Sequence, residues 1–139
     1  MKKGICKNVF LINIFLIFIL AGCSEKDPTK GVGPVSDLTL DSNINISLSE
    51  KGKQIFDSKC LACHNFERRV VGPPLNGITQ RRKPEWIMNM IINPEEMTHK
   101  DPQAKELLMQ YITPMVSQNI TEDEARAMLE YFRSKDKGL

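Results

Sequence analysis

The chain has 139 residues, which suits a single domain, and its 19 basic and 17 acidic side chains leave a formal charge of only +2. Lys2, Lys3 and Lys7 fall within the first 22 residues, which hold no acid; taking these three from 19 leaves 16 basic side chains against 17 acidic in the remainder. That balance excludes the basic footprint of a nucleic-acid binder.

The amino terminus has a basic stretch to Asn8, an apolar run from Val9 to Leu20, then small residues before a cysteine. A membrane-spanning helix needs roughly 20 apolar residues, so the shorter run reads as a signal peptide over 1–22. Leu20-Ala21-Gly22-Cys23 resembles a bacterial lipobox, which implies a lipid on Cys23 and a cell-envelope protein facing the periplasm from the inner or outer membrane. Of the four cysteines, Cys6 is discarded with the signal and Cys23 is the anchor, which leaves Cys60 and Cys63.

From Ser24 to Ile46 the chain is polar and broken by Pro28, Gly31, Gly33 and Pro34, with no helical period. It reads as a flexible tether over 23–46 that could stretch to about 75 Å. The folded domain is then expected over 47–139. Ser47 and Glu50 have capping-box spacing, opening a helix that runs to about Lys59 and buries Ile55 and Phe56. Gly72-Pro73-Pro74 and Gly77 prevent any regular element after the cysteines. Pro84 starts a second helix with apolar Ile87, Met90 and Ile91, which Asn93-Pro94 ends. Asp101-Pro102 starts a third, with Ala104, Leu107, Leu108 and Tyr111 on one face. The last has a second capping box, Thr121 with Glu124, and an apolar stripe of Ala125, Met128, Leu129 and Phe132. No strand is expected. About four short helices around a small core would gain much from a large apolar insert.

Cys60-Leu61-Ala62-Cys63-His64 has the spacing of the c-type haem attachment motif. Both sulfurs can reach one edge of a porphyrin, and the histidine then projects at the iron from the same side. A thioredoxin-like dithiol would need a βαβ setting, a zinc site with His99 fails on spacing, and a Cys60–Cys63 disulfide would close only a tiny loop.

Residues 50–137 resemble a class I c-type cytochrome, carried by Gly52, Phe56 and Cys60 at the Gly-x-x-x-Phe-x-x-x-Cys spacing and by Gly72-Pro73-Pro74-Leu75-Asn76-Gly77. The resemblance implies an all-α cytochrome c fold around one covalent haem c, with Gly52 approached closely by Met128 and Tyr131. It further implies that the Pro73 carbonyl accepts the Nδ1 proton of His64. The sixth iron ligand is expected to be Met115, in the loop Thr113-Pro114-Met115 directly before the last helix, where the family places its axial methionine. Met97 and His99 are the rivals; Met88, Met90, Met109 and Met128 lie within helix patterns, where methionine is usually core filler. By the same resemblance Trp86, Arg81 and Arg82 could contact the haem propionates. A monomeric electron carrier, not an enzyme, follows, with a quinol-oxidising complex as donor and a terminal reductase or oxidase as acceptor. The stretch 81–131 resembles small respiratory cytochromes, some found beside nitrous-oxide reductase. A haem subunit of a reductase, or a gas or redox sensor with an exchangeable sixth ligand, is the alternative.

Overall fold

The computed structural model describes residues 27–139. The signal peptide expected over 1–22 and the lipid on Cys23 lie outside the described residues. Within them are six α-helices and one 3-10 turn, Pro28–Lys30, and no strand. The helices are α1 (Ile46–Lys59), α2 (Ile78–Arg81), α3 (Pro84–Ile92), α4 (Pro94–Lys100), α5 (Pro102–Tyr111) and α6 (Glu122–Asp136). Two more helices are present than the sequence led us to expect, because α2 and α4 are each too short to show a hydrophobic period.

The amino- and carboxyl-terminal helices α1 and α6 form the main contact of the fold. Their approach is permitted by Gly52: a Cβ there would lie 2.0 Å from the Ala127 carbonyl oxygen and 2.9 Å from the Met128 nitrogen. The contact therefore involves Ala127 and Met128, whereas Tyr131 packs on Phe56 with ring centroids 5.7 Å apart. Phe56, Phe66, Tyr131 and Phe132 form a cluster of tilted and edge-on rings, the geometry that aromatic quadrupoles favour. Met128 and Leu129 complete the seam; Ile55 is only half-buried.

Helix α1 starts at a cap other than the expected one. The Asn45 side chain accepts from the Leu48 amide at 3.0 Å, while the Asn45 amide donates to Glu130 Oε1 at 2.9 Å. The long-range bond to Glu130 holds Asn45 extended at the cap position, ahead of Ser47. Helices α3, α4 and α5 follow one another with proline at each first position, where the missing N–H would have no partner in any case. Asn93 and Asp101 cap α4 and α5 through their side chains. On α6 the reciprocal Thr121–Glu124 capping box is present as expected.

The largest departure from expectation is the segment 27–45, which is a strap bound along the domain instead of a free tether. Val35 is buried, and its amide donates to Asn89 Oδ1 at 3.0 Å; Asn89 Nδ2 donates back to the carbonyls of Val35 (2.9 Å) and Lys30 (3.1 Å). The Val32 amide points at Met97 Sδ, 3.0 Å away, and Lys137 Nζ donates to the Ser42 carbonyl at 2.7 Å. Asn89 is completely buried. A carboxamide reproduces the donor–acceptor pair of a peptide group, so Asn89 satisfies the strap as a neighbouring strand would. Period-based reading sees none of this, since the partners are side chains more than 50 residues away.

Candidate functional site

Cys60 is the C-cap of α1, and the next four residues turn the chain back on itself: the amides of Cys63 and His64 both donate to the Cys60 carbonyl. Cys60 is buried and Cys63 exposed, and neither is in a disulfide. Burial pushes the Cys60 thiol up to about 11, so it stays protonated at neutral pH. The Cys63 carbonyl then accepts from the amides of Val71 and Gly72, closing the loop that follows the histidine.

The imidazole of His64 is held from two sides. Its Nδ1 lies 3.2 Å from the Pro73 carbonyl oxygen, a contact that assigns the proton to Nδ1. Gly72 packs on the ring so closely that a Cβ would sit 2.4 Å from Cε1. Burial lowers the histidine's proton affinity, opposed by the bond to Pro73. A neutral ring with Nδ1–H committed leaves the Nε2 lone pair as its one available donor atom, which is the state a metal requires.

The loop 72–77 is itself pinned. Leu75 and Asn76 donate their amides to the carbonyls of Asn65 and Phe66. Asp136, at the end of α6, accepts from the Gly77 amide at 2.7 Å, the Thr79 amide at 2.9 Å and the Thr79 hydroxyl at 2.6 Å. Neither Gly72's contact with the ring nor the role of Asp136 was legible in the sequence; the first needs the loop's fold and the second spans 57 residues or more.

The sixth-ligand candidates occupy different settings. Met97 is fully buried and engaged by the strap and Trp86; a Cβ on Gly31 would lie 2.9 Å from its sulfur and 3.0 Å from the Trp86 ring. Met88 and Met128 are core residues, Met109 is exposed on α5, and His99 is exposed on α4. Met115 is half-buried in the loop between α5 and α6. Left-handed residues bracket that loop, Ile112 (φ 64°) and Asn119 (φ 51°).

The expectation for Trp86 is corrected. Its indole N–H donates to Asp101 Oδ1 at 3.0 Å, in the interior, where that oxygen also caps α5. An indole has one donor, so it has none left for a propionate. Arg82 stacks over the Trp86 ring at 5.1 Å, and Arg81 donates to the carbonyls of Asn76 and Pro74. The two arginines thus diverge, Arg81 onto the 72–77 loop and Arg82 onto α3.

Two thiols and a neutral imidazole on one turn suit covalent haem. Exposed apolar side chains accompany that turn: Leu61 within the motif, Val70 and Val71 in the loop after it, and Met109, Ile112 and Val116 at the end of α5 and in the loop beyond. Arg69 lies 4.6 Å over the Tyr111 ring and so brings the loop after His64 against the end of α5. A flat apolar group seated there would cover side chains that otherwise face water. A zinc site has no such support, because among the described residues no group of three or more histidine, cysteine, aspartate or glutamate side chains could hold a metal ion.

Comparison with known proteins agrees with this geometry. The family described as Cytochrome c matches residues 49–136. The chain is similar to a cytochrome c from Rhodothermus marinus, at 37% identity and a TM-score of 0.78 over 81% of this chain and 100% of that one. An engineered form of that protein, solved bound to a carbene intermediate, is similar at 37% identity and a TM-score of 0.74 over 80% of this chain and 99% of that one. A cytochrome c-553-like protein from Synechocystis is 28% identical over 69 residues, 46% of this chain; the match spans 66% of that relative's length.

Proposed function

The chain belongs to the cytochrome c family and carries a covalently bound haem c with iron, and from that premise we propose a lipid-anchored electron carrier of a respiratory chain, held at the periplasmic side of the cell envelope. Electron transfer by a haem protein is what the family relationship supports. The anchor rests on Leu20-Ala21-Gly22-Cys23, and the export signal ahead of it accords with haem attachment outside the cytoplasm. The proposed donor is a quinol-oxidising complex and the acceptor a terminal reductase or oxidase, nitrous-oxide reductase among them.

The observation that carries the proposal is the His64 Nδ1···Pro73 contact at 3.2 Å, which fixes tautomer and ring direction in advance. Cys60 and Cys63 would hold the haem as thioethers, His64 would hold the iron through Nε2, and Met115 would supply the second protein ligand. When bound, the haem supplies one-electron chemistry at its iron, and a histidine–methionine pair favours a raised potential. The protein's part is to keep both ligands in place so that little moves when the iron changes charge. Pro73 does this for His64 by hydrogen bonding and Gly72 by packing, and Met115 would be presented from the loop between α5 and α6.

One observation favours a second reading. Ile112 is β-branched and left-handed, a strained position, and the side-chain bonds within 113–119 are local ones, Gln118 to Val116 and the Asn119 amide to Ser117. A loop held so lightly suits a reductase subunit or a gas or redox sensor, in which Met115 leaves to admit a ligand.

The test is the ferric spectrum of the haem-loaded protein and of Met115→Ala. The wild type is expected to show the weak far-red sulfur–iron band, and the variant to lose it and turn high-spin. A wild type without the band, or a variant that keeps it, overturns the ligand assignment. Carbon monoxide added to the reduced wild type separates the two readings: a carrier resists it, a sensor or reductase subunit binds it readily.

A further inference from the structure

We infer that Asp136 is a positioning residue for His64, acting through the 72–77 loop, and that it sets the strength of the His64–Pro73 hydrogen bond and with it the reduction potential of the haem. The loop has two ends. At its start the Pro73 carbonyl accepts from His64 Nδ1. At its far end both carboxylate oxygens of Asp136 are used, Oδ1 by the Gly77 amide and Oδ2 by the amide and hydroxyl of Thr79. Charge-assisted bonds of 2.6–2.9 Å are short and strong compared with neutral ones. The bond to Gly77 grips a residue in the left-handed region (φ 70°), at the point where the loop turns into α2. The same end of α6 reaches the other side of the loop, with Lys135 Nζ 5.7 Å over the Phe66 ring. Phe66 in turn accepts from the Asn76 amide through its carbonyl. The last turn of α6 therefore grips the chain on both sides of Pro73, at Gly77 just after it and at Phe66 before it, and leaves the proline carbonyl little freedom to move away from the imidazole.

Hydrogen bonding at Nδ1 raises the basicity of a ligating imidazole, and this stabilises the ferric more than the ferrous state. Releasing the loop should weaken that bond and raise the potential. The proposal rests on His64 being the iron ligand, and the wild-type measurement tests that separately.

The experiment uses the haem-loaded chain and the variants Asp136→Asn and Thr79→Val. Asp136→Asn keeps the shape but turns one oxygen into a donor facing other donors. Thr79→Val removes one bond to Asp136 with no change of charge. Paramagnetic proton spectra of the ferric protein report the His64 ring and the exchange of its Nδ1 proton, and voltammetry reports the potential. Both variants should raise the potential and speed Nδ1–H exchange, by about tenfold for Asp136→Asn, the effect of losing one net hydrogen bond. The rise in Asp136→Asn should persist at 1 M salt, where a through-space charge effect is screened to about 3 Å. Lys137→Ala, which cuts a bond to the strap at the same helix end, should lower stability and move neither readout. If wild-type spectra lack a shifted histidine ring, His64 is not the ligand and the inference falls with it. If they show one, and both variants leave exchange and potential unchanged while melting earlier, Asp136 is a stabilising cap and the inference alone is wrong.

Discussion

Replacing Gly52 with alanine tests the helix crossing on which the fold depends. The new Cβ would meet the Ala127 carbonyl oxygen at 2.0 Å and its carbon at 2.5 Å. Ordinary contact lies near 3.4 Å, so α1 and α6 must separate by more than 1 Å at the crossing. A radial gap of 0.5–1 Å already forfeits a quarter to a half of the van der Waals well for the atoms concerned, and here those include Phe56, Met128 and Leu129, all essentially inaccessible to solvent. Overpacking a core costs about 1–3 kcal/mol where side chains can adjust. Backbone cannot adjust in that way, so the upper end, about 3 kcal/mol, is the expectation. For a domain of this size that corresponds to a fall in Tm of about 12 °C. Thermal unfolding of the haem-loaded protein, followed at 222 nm, measures it. Trimming a neighbouring side chain, as in Met128→Ala, should not rescue the variant, because the obstacle is a carbonyl. A Tm within 2 °C of wild type, or rescue by Met128→Ala, would refute the argument.

Asn89→Leu should detach the strap while sparing the helices: hydrogen exchange at Val32 and Val35 should rise by at least about tenfold per bond lost, with limited proteolysis cutting within 31–40 and the Soret band unchanged. Protection equal to wild type would mean the strap is held elsewhere. Glu130 offers a pH signature. Its carboxyl is 1% exposed and burial opposes its ionisation, but bonds from Arg126, the Asn45 amide and Arg133 outweigh this and hold it below its ordinary 4.5. A carboxyl so lowered adds stability that is present above the unfolded-state value and lost as pH falls through the folded-state value. Wild type should therefore lose stability below pH 4.5 more steeply than Glu130→Gln, which starts lower at pH 7; parallel Tm–pH curves would contradict it.

What could be read from the sequence was what is local or periodic. The Cys60–His64 motif, the Thr121–Glu124 box, the stripe on α6 and the proline starts of α3 and α5 each declare themselves within a few residues. What escaped is held by isolated side chains across long separations. Asn89 serves the strap from 54 residues away, Glu130 captures Asn45 from 85, and Asp136 reaches Gly77 from 59. No hydrophobic pattern marks such residues. Asn89, Glu130 and Asp101 are buried polar groups inside helical patterns or at their caps, where a sequence reader assumes solvent. The Trp86–Asp101 bond escapes for the same reason, since in the sequence Asp101 marks only a helix start.

The strap also changes the kind of search by which this protein would find its partners. With the anchor proposed at Cys23 and the strap bonded to the domain from the Lys30 carbonyl onward, seven Cα steps intervene, at most about 25 Å of chain, against about 75 Å for a free tether. A domain on so short a leash would sample a thin layer above the bilayer instead of a deep volume. With that anchor in place, encounters would become collisions in two dimensions, governed by lateral diffusion and by the density of partners in the same leaflet. Confinement raises effective concentration for any partner embedded alongside and lowers it toward zero for one that the leash cannot reach. Donor and acceptor would then be selected as much by which membrane they occupy as by the surface they present.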